Sequence, residues 1–523
     1  MKDGLKALTN CTIYLGAGRS IGRGYVVFSH ERAEETGPLD SFRPRPGIET
    51  FDLEGALVLP GLTDSHLHLV NYAKSLTEID LADTQSLEAG LEIVGREARH
   101  LTQGAWLRGG GWDKQRWGLD SFPTRGMLDR VAADNPVALT SRDRHLVWLN
   151  SVALSELGLA DRAEPVDGGE SVVDGAGRPT GMFKEKTATL ILARLDRRER
   201  GRAREAIILA CESLRRFGLT AVHTIETAAL GSVLDEAVDA GLVPLDLFRM
   251  REVLTPDEID KLSPSSRVAC LKTYADGTLG SQTASMLEPF AGQPGNIGIP
   301  FASKADLREI IVRAAGRGFA VSVHAIGDRA NRDVLDIYAE VRRNHNNLLR
   351  IEHAQILSPE DIPRFGCLGV VVSMQPVHLV SDRSVADRYW GPRAKHAYAW
   401  KQVMDAGGTV AFGSDAPIES PDPLKGIHAA VTRSDPDDPG LGPWYPEERL
   451  AVWQAIDRYT FGGIAASGAD ASGDGSVGGN DIVGGKPNFS ILDTNILEAD
   501  DPAAILETHV IGTVVGGEPS FYI

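Results

Sequence analysis

Cysteine is scarce in this chain. Its 523 residues include only Cys11, Cys211, Cys270 and Cys367, far apart and with no CxxC pair. That spacing excludes a disulfide-stapled scaffold and a thiolate zinc cluster. Positive charge is also in deficit: 54 Lys plus Arg face 72 Asp plus Glu, a formal net charge of −18 with no basic block to offset it. Nucleic acid and anionic membrane surfaces are therefore poor partners. No apolar run approaches the ~18 residues of a membrane span. The opening MKDGLKALTNCTIYLGAG has no signal-like apolar core, so the expected setting is a reducing cytoplasm. Motifs for several chemistries are missing too. No GxSxG elbow occurs. The glycine-rich GAGRSIGRG (16–24) lacks both a GKS/T ending and the strand–helix setting of a nucleotide loop, and reads better as a β-turn.

What is present is globular composition, 42% hydrophobic and 24% charged, with a length that allows roughly three domains at ~100–200 residues each. Residues 1–58 are short extended pieces between Gly, Pro and charged turns, and the C-terminal FSILDTNIL and THVIGTVVGGEPSFYI share that texture. Both ends together predict one small β-sandwich, 1–58 plus 480–523. The Gly- and Ser-rich segment 466–486 reads as a flexible connection. Between the ends, strand candidates at 59–69, 220–225, 244–250, 268–275, 320–326, 349–354, 369–376 and 409–415 alternate with amphipathic stretches. Eight strands alternating with helices predict an α/β fold, a (β/α)8 TIM barrel over 59–479. The gap from 70 to 219 far exceeds the ~2–6 loop residues plus a helix of a βα connection. It predicts an inserted subdomain, about 70–185, over the barrel mouth.

Histidine placement is the chemical signal. His66 and His68 lie at i, i+2 at the end of the first strand, so both imidazoles project from one face. His324 ends the fifth strand, His353 the sixth and Asp415 the eighth. C-terminal strand ends converge on the active site of such a barrel. One strand-end histidine alone is more often a satisfied hydrogen-bonding residue, but five good metal ligands at five convergent positions predict a metal centre. Lys272 ends the fourth strand. Beside divalent cations its ammonium would be repelled, whereas a carbamate formed with CO2 would be an anionic bridging ligand. The plainer alternative pairs Lys272 with Asp276, and rival bridges exist in the insert at Glu185, Lys184 and Lys186. Trp112, Trp117, His145 and Trp148, with Met374, His378 and Trp390, could line a substrate pocket, or the tryptophans could be the insert's own core. Arg350 beside Glu352 reads as a structural ion pair.

The motifs PGLTDSHLHL, LKTYADGTLG, VSVHAIGDRAN, RIEHAQ, SMQPVH and FGSDAPIESPDP resemble the metal-dependent amidohydrolase superfamily. Within it they are most similar to the amidohydrolase-3 branch of YtcJ-like and N-substituted formamide deformylase-like proteins. The resemblance covers nearly the whole chain. It implies two divalent metal ions, His66 and His68 on one and His324 and His353 on the other. Carboxylated Lys272 would bridge them, and Asp415 would touch the first metal and accept a proton. The segment GSVGGNDIVGGKPNFSILD departs from the branch, with Asn488 where Asp is usual. Histidine and carboxylate ligands suit zinc first.

The expected function is a metal-dependent hydrolase of a carboxamide-type C–N bond: an N-substituted formamide, N-acyl amine, lactam or cyclic imide. Two alternatives stand beside it, a deaminase of an amino-substituted ring and a metal-free binding protein. Lys272 speaks against the first, since deaminases on this fold lack it, and the full ligand set speaks against the second. Exposed edges of the terminal module suggest a homodimer.

Overall fold

The computed structural model describes residues 4–114, 116–141, 146–160, 169–198, 200–265, 267–468 and 483–522. His145 and most of the Gly- and Ser-rich connection, 469–482, lie outside these residues.

Eight short strands form the barrel. They are β1 (Leu62–Leu67), β2 (Leu219–Glu226), β3 (Asp246–Glu252), β4 (Cys270–Tyr274), β5 (Ala320–Ala325), β6 (Leu349–His353), β7 (Val371–Met374) and β8 (Thr409–Phe412). Each pairs parallel with the next in sequence, giving one eight-stranded sheet in chain order. All eight expected strands are present and the TIM barrel stands. Closure comes just past β8, where Asp415 N donates to His66 O (2.6 Å) and His68 N donates to Ala416 O (2.9 Å). Asp64 reinforces this seam, its carboxylate accepting from His66 N (2.9 Å), Ser414 N (3.1 Å) and Ser414 Oγ (2.5 Å).

The two chain ends meet in a second sheet. Strands Lys6–Gly16, Arg19–Phe28, Ala33–Pro38, Glu49–Asp52 and Leu57–Pro60 join Phe489–Leu492, Val510–Val515 and Glu518–Phe521. They form one continuous hydrogen-bonded sheet. Bulges let Lys6–Gly16 pair with Glu49–Asp52 along its first half and with Leu57–Pro60 along its second. Antiparallel pairing of Phe489–Leu492 with Leu57–Pro60 joins the termini, over a core of Leu8, Ile13, Phe28, Val58, Phe489 and Ile491. Barrel and terminal sheet belong to one compact unit, Met1–Leu69 plus Ala210–Ile523.

The insert is a second unit, Val70–Leu209. It reaches Leu209 instead of ending near residue 185, because the helix Lys186–Arg198 buries Ala188, Ile191 and Leu195 against the insert's own Val147, Leu149 and Phe183. A six-stranded mixed sheet organises it, from Ile79–Asp80 at one edge to Gly169–Val173 at the other. Period-two alternation sends Val137, Leu139, Trp148 and Met182 to one core and Ala138, Val147, Leu149 and Phe183 to the other. Asn150 is fully buried and uses its whole hydrogen-bonding capacity. Its Oδ1 accepts from Val137 N (3.0 Å) and Ala153 N (2.9 Å), and its Nδ2 donates to Ala132 O (3.0 Å) and Asn135 O (2.8 Å).

Candidate metal centre

His66 leaves β1 directly beside the seam. Its Nδ1–H donates to Glu352 Oε2 (2.7 Å), which turns Nε2 toward Asp415 Oδ1 at 3.3 Å. His68 is anchored the same way, Nδ1–H donating to Ile225 O (3.1 Å) with Nε2 3.4 Å from the same Asp415 oxygen. His353 donates from Nδ1 to Gln375 Oε1 (2.9 Å), and His324 from Nε2 to Gly277 O (3.0 Å). Each histidine thus has one ring nitrogen fixed by a protein acceptor and the other not held by it, the anchoring that metal-ligating histidines show. The His66 and His353 rings lie 4.7 Å apart and those of His324 and His353 4.6 Å apart. Ligand atoms of His66, His353 and Asp415 all lie within 4.8 Å of one another. A buried nitrogen–carboxylate donor set of this density fits a divalent transition metal.

Backbone geometry aims two of these groups. Alternation along β6 points Arg350 and Glu352 into the barrel and would turn His353 away. His353 (φ 74°) and Ala354 (φ 43°) are left-handed, which breaks the alternation and brings the imidazole back. Asp415 (φ 63°) is likewise left-handed. Gly413 precedes it because a side chain there would fall 2.6 Å from His66 N and 2.7 Å from Asp64 Oδ1.

Electrostatics set the protonation of the cluster. Burial raises the Asp415 carboxyl, but His66 and His68 outweigh it and hold that carboxyl well below the usual carboxylate range. Burial, with Lys272 nearby, pushes His324 down to about 3. Burial, with the His324 and His66 rings close by, likewise pushes the His353 imidazole well below its ordinary range. Lys272, 1% exposed, has its amine 4.6 Å from the Tyr274 ring centroid. Burial lowers its pKa to about 8 against the opposing pull of Glu352, Asp415 and Glu252.

Several alternatives resolve on this geometry. Asp276 is taken up by three backbone donors, Ile326 N (3.0 Å), Gly327 N (2.8 Å) and Ser285 N (2.8 Å), and does not pair with Lys272. Lys184 pairs with Glu170 on the insert's sheet, while Glu185 and Lys186 are exposed. Arg350 and Glu352 do form a fully buried ion pair, Nε to Oε1 2.9 Å. Trp112, expected to face a substrate, is instead fully buried in the insert's core against Trp117 and Trp148, its Nε1–H donating to Leu139 O (3.1 Å), and presents no surface to a substrate. Met374 and Trp390 are buried in the same sense. His378 lies near the cluster, its ring stacked 6.3 Å from His353 and its Nε2 3.9 Å from Asp415 Oδ2.

Sequence reasoning missed Gln375, Asp64 and the role of Glu352. The i, i+2 spacing of Arg350 and Glu352 on a barrel strand was a usable sign that both face inward. Asn488 also finds its reason here: Nδ2 donates to Asp246 Oδ2 (2.8 Å) and Oδ1 accepts from Gly516 N (2.8 Å). An aspartate would face Asp246 with like charge.

The family model described as amidohydrolase family (Amidohydro_3) matches residues 49–521. The Bacillus subtilis (strain 168) protein named "Putative amidohydrolase YtcJ" is 33% identical over 90% of each chain. N-substituted formamide deformylase of Arthrobacter pascens is 28% identical, also over 90% of each. Among solved structures, an uncharacterized metal-dependent hydrolase from Pyrococcus furiosus superposes with a TM-score of 0.75 at 29% identity, covering 94% of this chain and 100% of that one. The chain therefore belongs to the amidohydrolase family and is a metal-dependent hydrolase acting on C–N bonds.

Proposed function

We propose that this hydrolase cleaves a carboxamide-type C–N bond: an N-substituted formamide, N-acyl amine, lactam or cyclic imide. It would work with two divalent metal ions, zinc first, held by His66, His68, His324, His353, Asp415 and a carboxylated Lys272. The observation that carries this reading is the convergence of His66, His353 and Asp415 beside a buried lysine. Similarity to a relative named N-substituted formamide deformylase supports trying those substrates first.

Bound ions supply Lewis acidity, which lowers the pKa of water toward about 7 and polarises a carbonyl. The protein's own groups do the rest. Asp415 accepts the proton released when the amide carbon is attacked and returns it to the departing nitrogen. His378, buried and with Nε2 lacking a hydrogen-bond partner among the described residues, is free to donate to the substrate carbonyl oxygen. Lys272 favours carboxylation because its buried amine, with a pKa of about 8, is readily neutral. The amine nitrogen adds to CO2 and loses a proton, leaving a carbamate anion in place of an ammonium. Phe301, 56% exposed, packs at a tilt against Tyr274 with ring centroids 5.3 Å apart, and the Tyr274 ring centroid lies 5.5 Å from that of His324. With exposed Ile299 it offers an apolar lip to the substituent on nitrogen.

The test is metal content per chain, measured on protein purified without chelator and with bicarbonate, then turnover of N-substituted formamides, N-acyl amines, lactams and cyclic imides. Two ions per chain with hydrolysis in that panel is the expected result. A fully loaded enzyme inert toward the whole panel sinks the carboxamide reading. A single ion, with ammonia released from amino-substituted rings, replaces it with a deaminase.

A further inference from the structure

Buried polar side chains lie on the barrel strands beside the candidate metal centre, among them His223 from β2, Ser322 from β5, and Arg350 and Glu352 from β6. Glu352 Oε2 accepts from His66 Nδ1 (2.7 Å) and Arg350 Nη2 (3.3 Å), while Oε1 accepts from Ser322 Oγ (2.5 Å) and Arg350 Nε (2.9 Å). Arg350 is held in turn. Nη2 donates to Ser65 O (2.8 Å), and Nη1 to Ala466 O (2.8 Å) and His223 Nδ1 (2.8 Å). Every oxygen of the carboxylate and every guanidinium nitrogen has a partner, so the array has one low-energy arrangement.

A buried ion pair is weak evidence for stability, since apolar residues of similar volume often serve as well. Its orientation is more informative. Among the described residues the carboxylate hydrogen-bonds one of the candidate ligands, His66, at the ring nitrogen facing away from Asp415. We infer that Glu352, locked by Arg350 and Ser322, is the positioning residue that fixes the tautomer and ring angle of His66. It thereby presets the Nε2 lone pair for the metal. His66 needs such support because it sits where β1 closes against the end of β8 and also carries a seam hydrogen bond on its own carbonyl. This role rests on the metal-hydrolase reading above.

The consequence is directional. In Glu352→Gln the amide oxygen satisfies Arg350 and Ser322, and the NH2 then faces His66. It can only donate to Nδ1, which moves the ring proton to Nε2 and removes the lone pair from the metal side. The experiment titrates metal-free full-length protein with Co2+ against a competing chelator and records the Co2+ absorption spectrum. Thermal melting of the metal-free protein monitors the fold. Glu352→Gln should weaken Co2+ binding about 10- to 100-fold and alter the spectrum, and Glu352→Asp, which restores the acceptor, should recover part of the loss. Ser322→Ala removes one donor without touching a charge. It should weaken binding a few-fold with the fold intact, so the inference stays testable even where Glu352→Gln does not fold. Binding and spectra like wild type in folded Glu352→Gln, or in Ser322→Ala where Glu352→Gln does not fold, overturn the positioning role alone. Wild-type protein that takes up no Co2+ overturns the metal reading and this role together.

Discussion

Asp415 and His353 are held in a backbone conformation that L-residues avoid. Left-handed φ values of 63° and 74° cost of order 1–3 kcal/mol each and persist only where the surroundings over-determine them. At Asp415 the surroundings are the seam hydrogen bond to His66 O and the turn bond from Ile418 N to Asp415 O (2.9 Å). Glycine would relieve the strain and lose the carboxylate. Asp415→Asn keeps size and the acceptor toward the imidazoles but loses the basic oxygen. We expect this variant to fold normally and to retain metal on the histidines, with kcat lowered about 10^2- to 10^4-fold. Stopped-flow turnover beside metal analysis checks this, and near-normal kcat would remove Asp415 from proton transfer.

Strands carry their chemistry at their ends, and that made the barrel legible at the scale of elements. The strands that carry the candidate ligands place a polar residue at or near their ends: the histidines of DSHLHL, VSVHA and RIEHA, and the lysine of CLKTY. Side-chain direction was less legible. Trp112 sits in a glycine-rich stretch that reads like an open loop. A bulge between Gly110 and Trp112, with Gly111 at φ 90° tight against Ala82, shifts the parity of the strand Leu107–Trp112. The indole thereby joins Leu107 in the core, and no periodicity in the sequence announces that shift. The insert's end was hidden for a related reason, since an amphipathic helix shows that it has a buried face and not which core receives it. The turn at Asn488, by contrast, yields a direct expectation. Asn488→Asp loses the donor to Asp246 and sets two carboxylates together, with Lys486 also close to Asp246 at 3.0 Å. It should lower unfolding free energy by about 1 kcal/mol, measured as a reduced urea midpoint. Asp246→Asn in the same chain should restore it, and a pair of additive losses would refute the coupling.

At the scale of the whole molecule, each of the two units carries its own core. All proposed ligands belong to the unit formed by Met1–Leu69 and Ala210–Ile523, and none to Val70–Leu209. Metal should therefore stabilise one unit by mass action, about 4 kcal/mol at a thousandfold excess over Kd, and leave the insert's core unaffected. Calorimetry before and after chelation should resolve two transitions, of which only one moves. A single transition that shifts as a whole would mean that the units unfold together. No helix among the described residues is long and apolar enough to cross a membrane. The terminal sheet brings a consequence for biosynthesis. Leu57–Pro60 is made before the barrel begins, yet its partner Phe489–Leu492 is made after the barrel is complete. A nascent chain must carry an unpaired, apolar edge through the synthesis of more than four hundred residues, the interval in which strand-edge aggregation threatens. The last strands then act as a latch, covering that edge only once every proposed metal ligand has been synthesised.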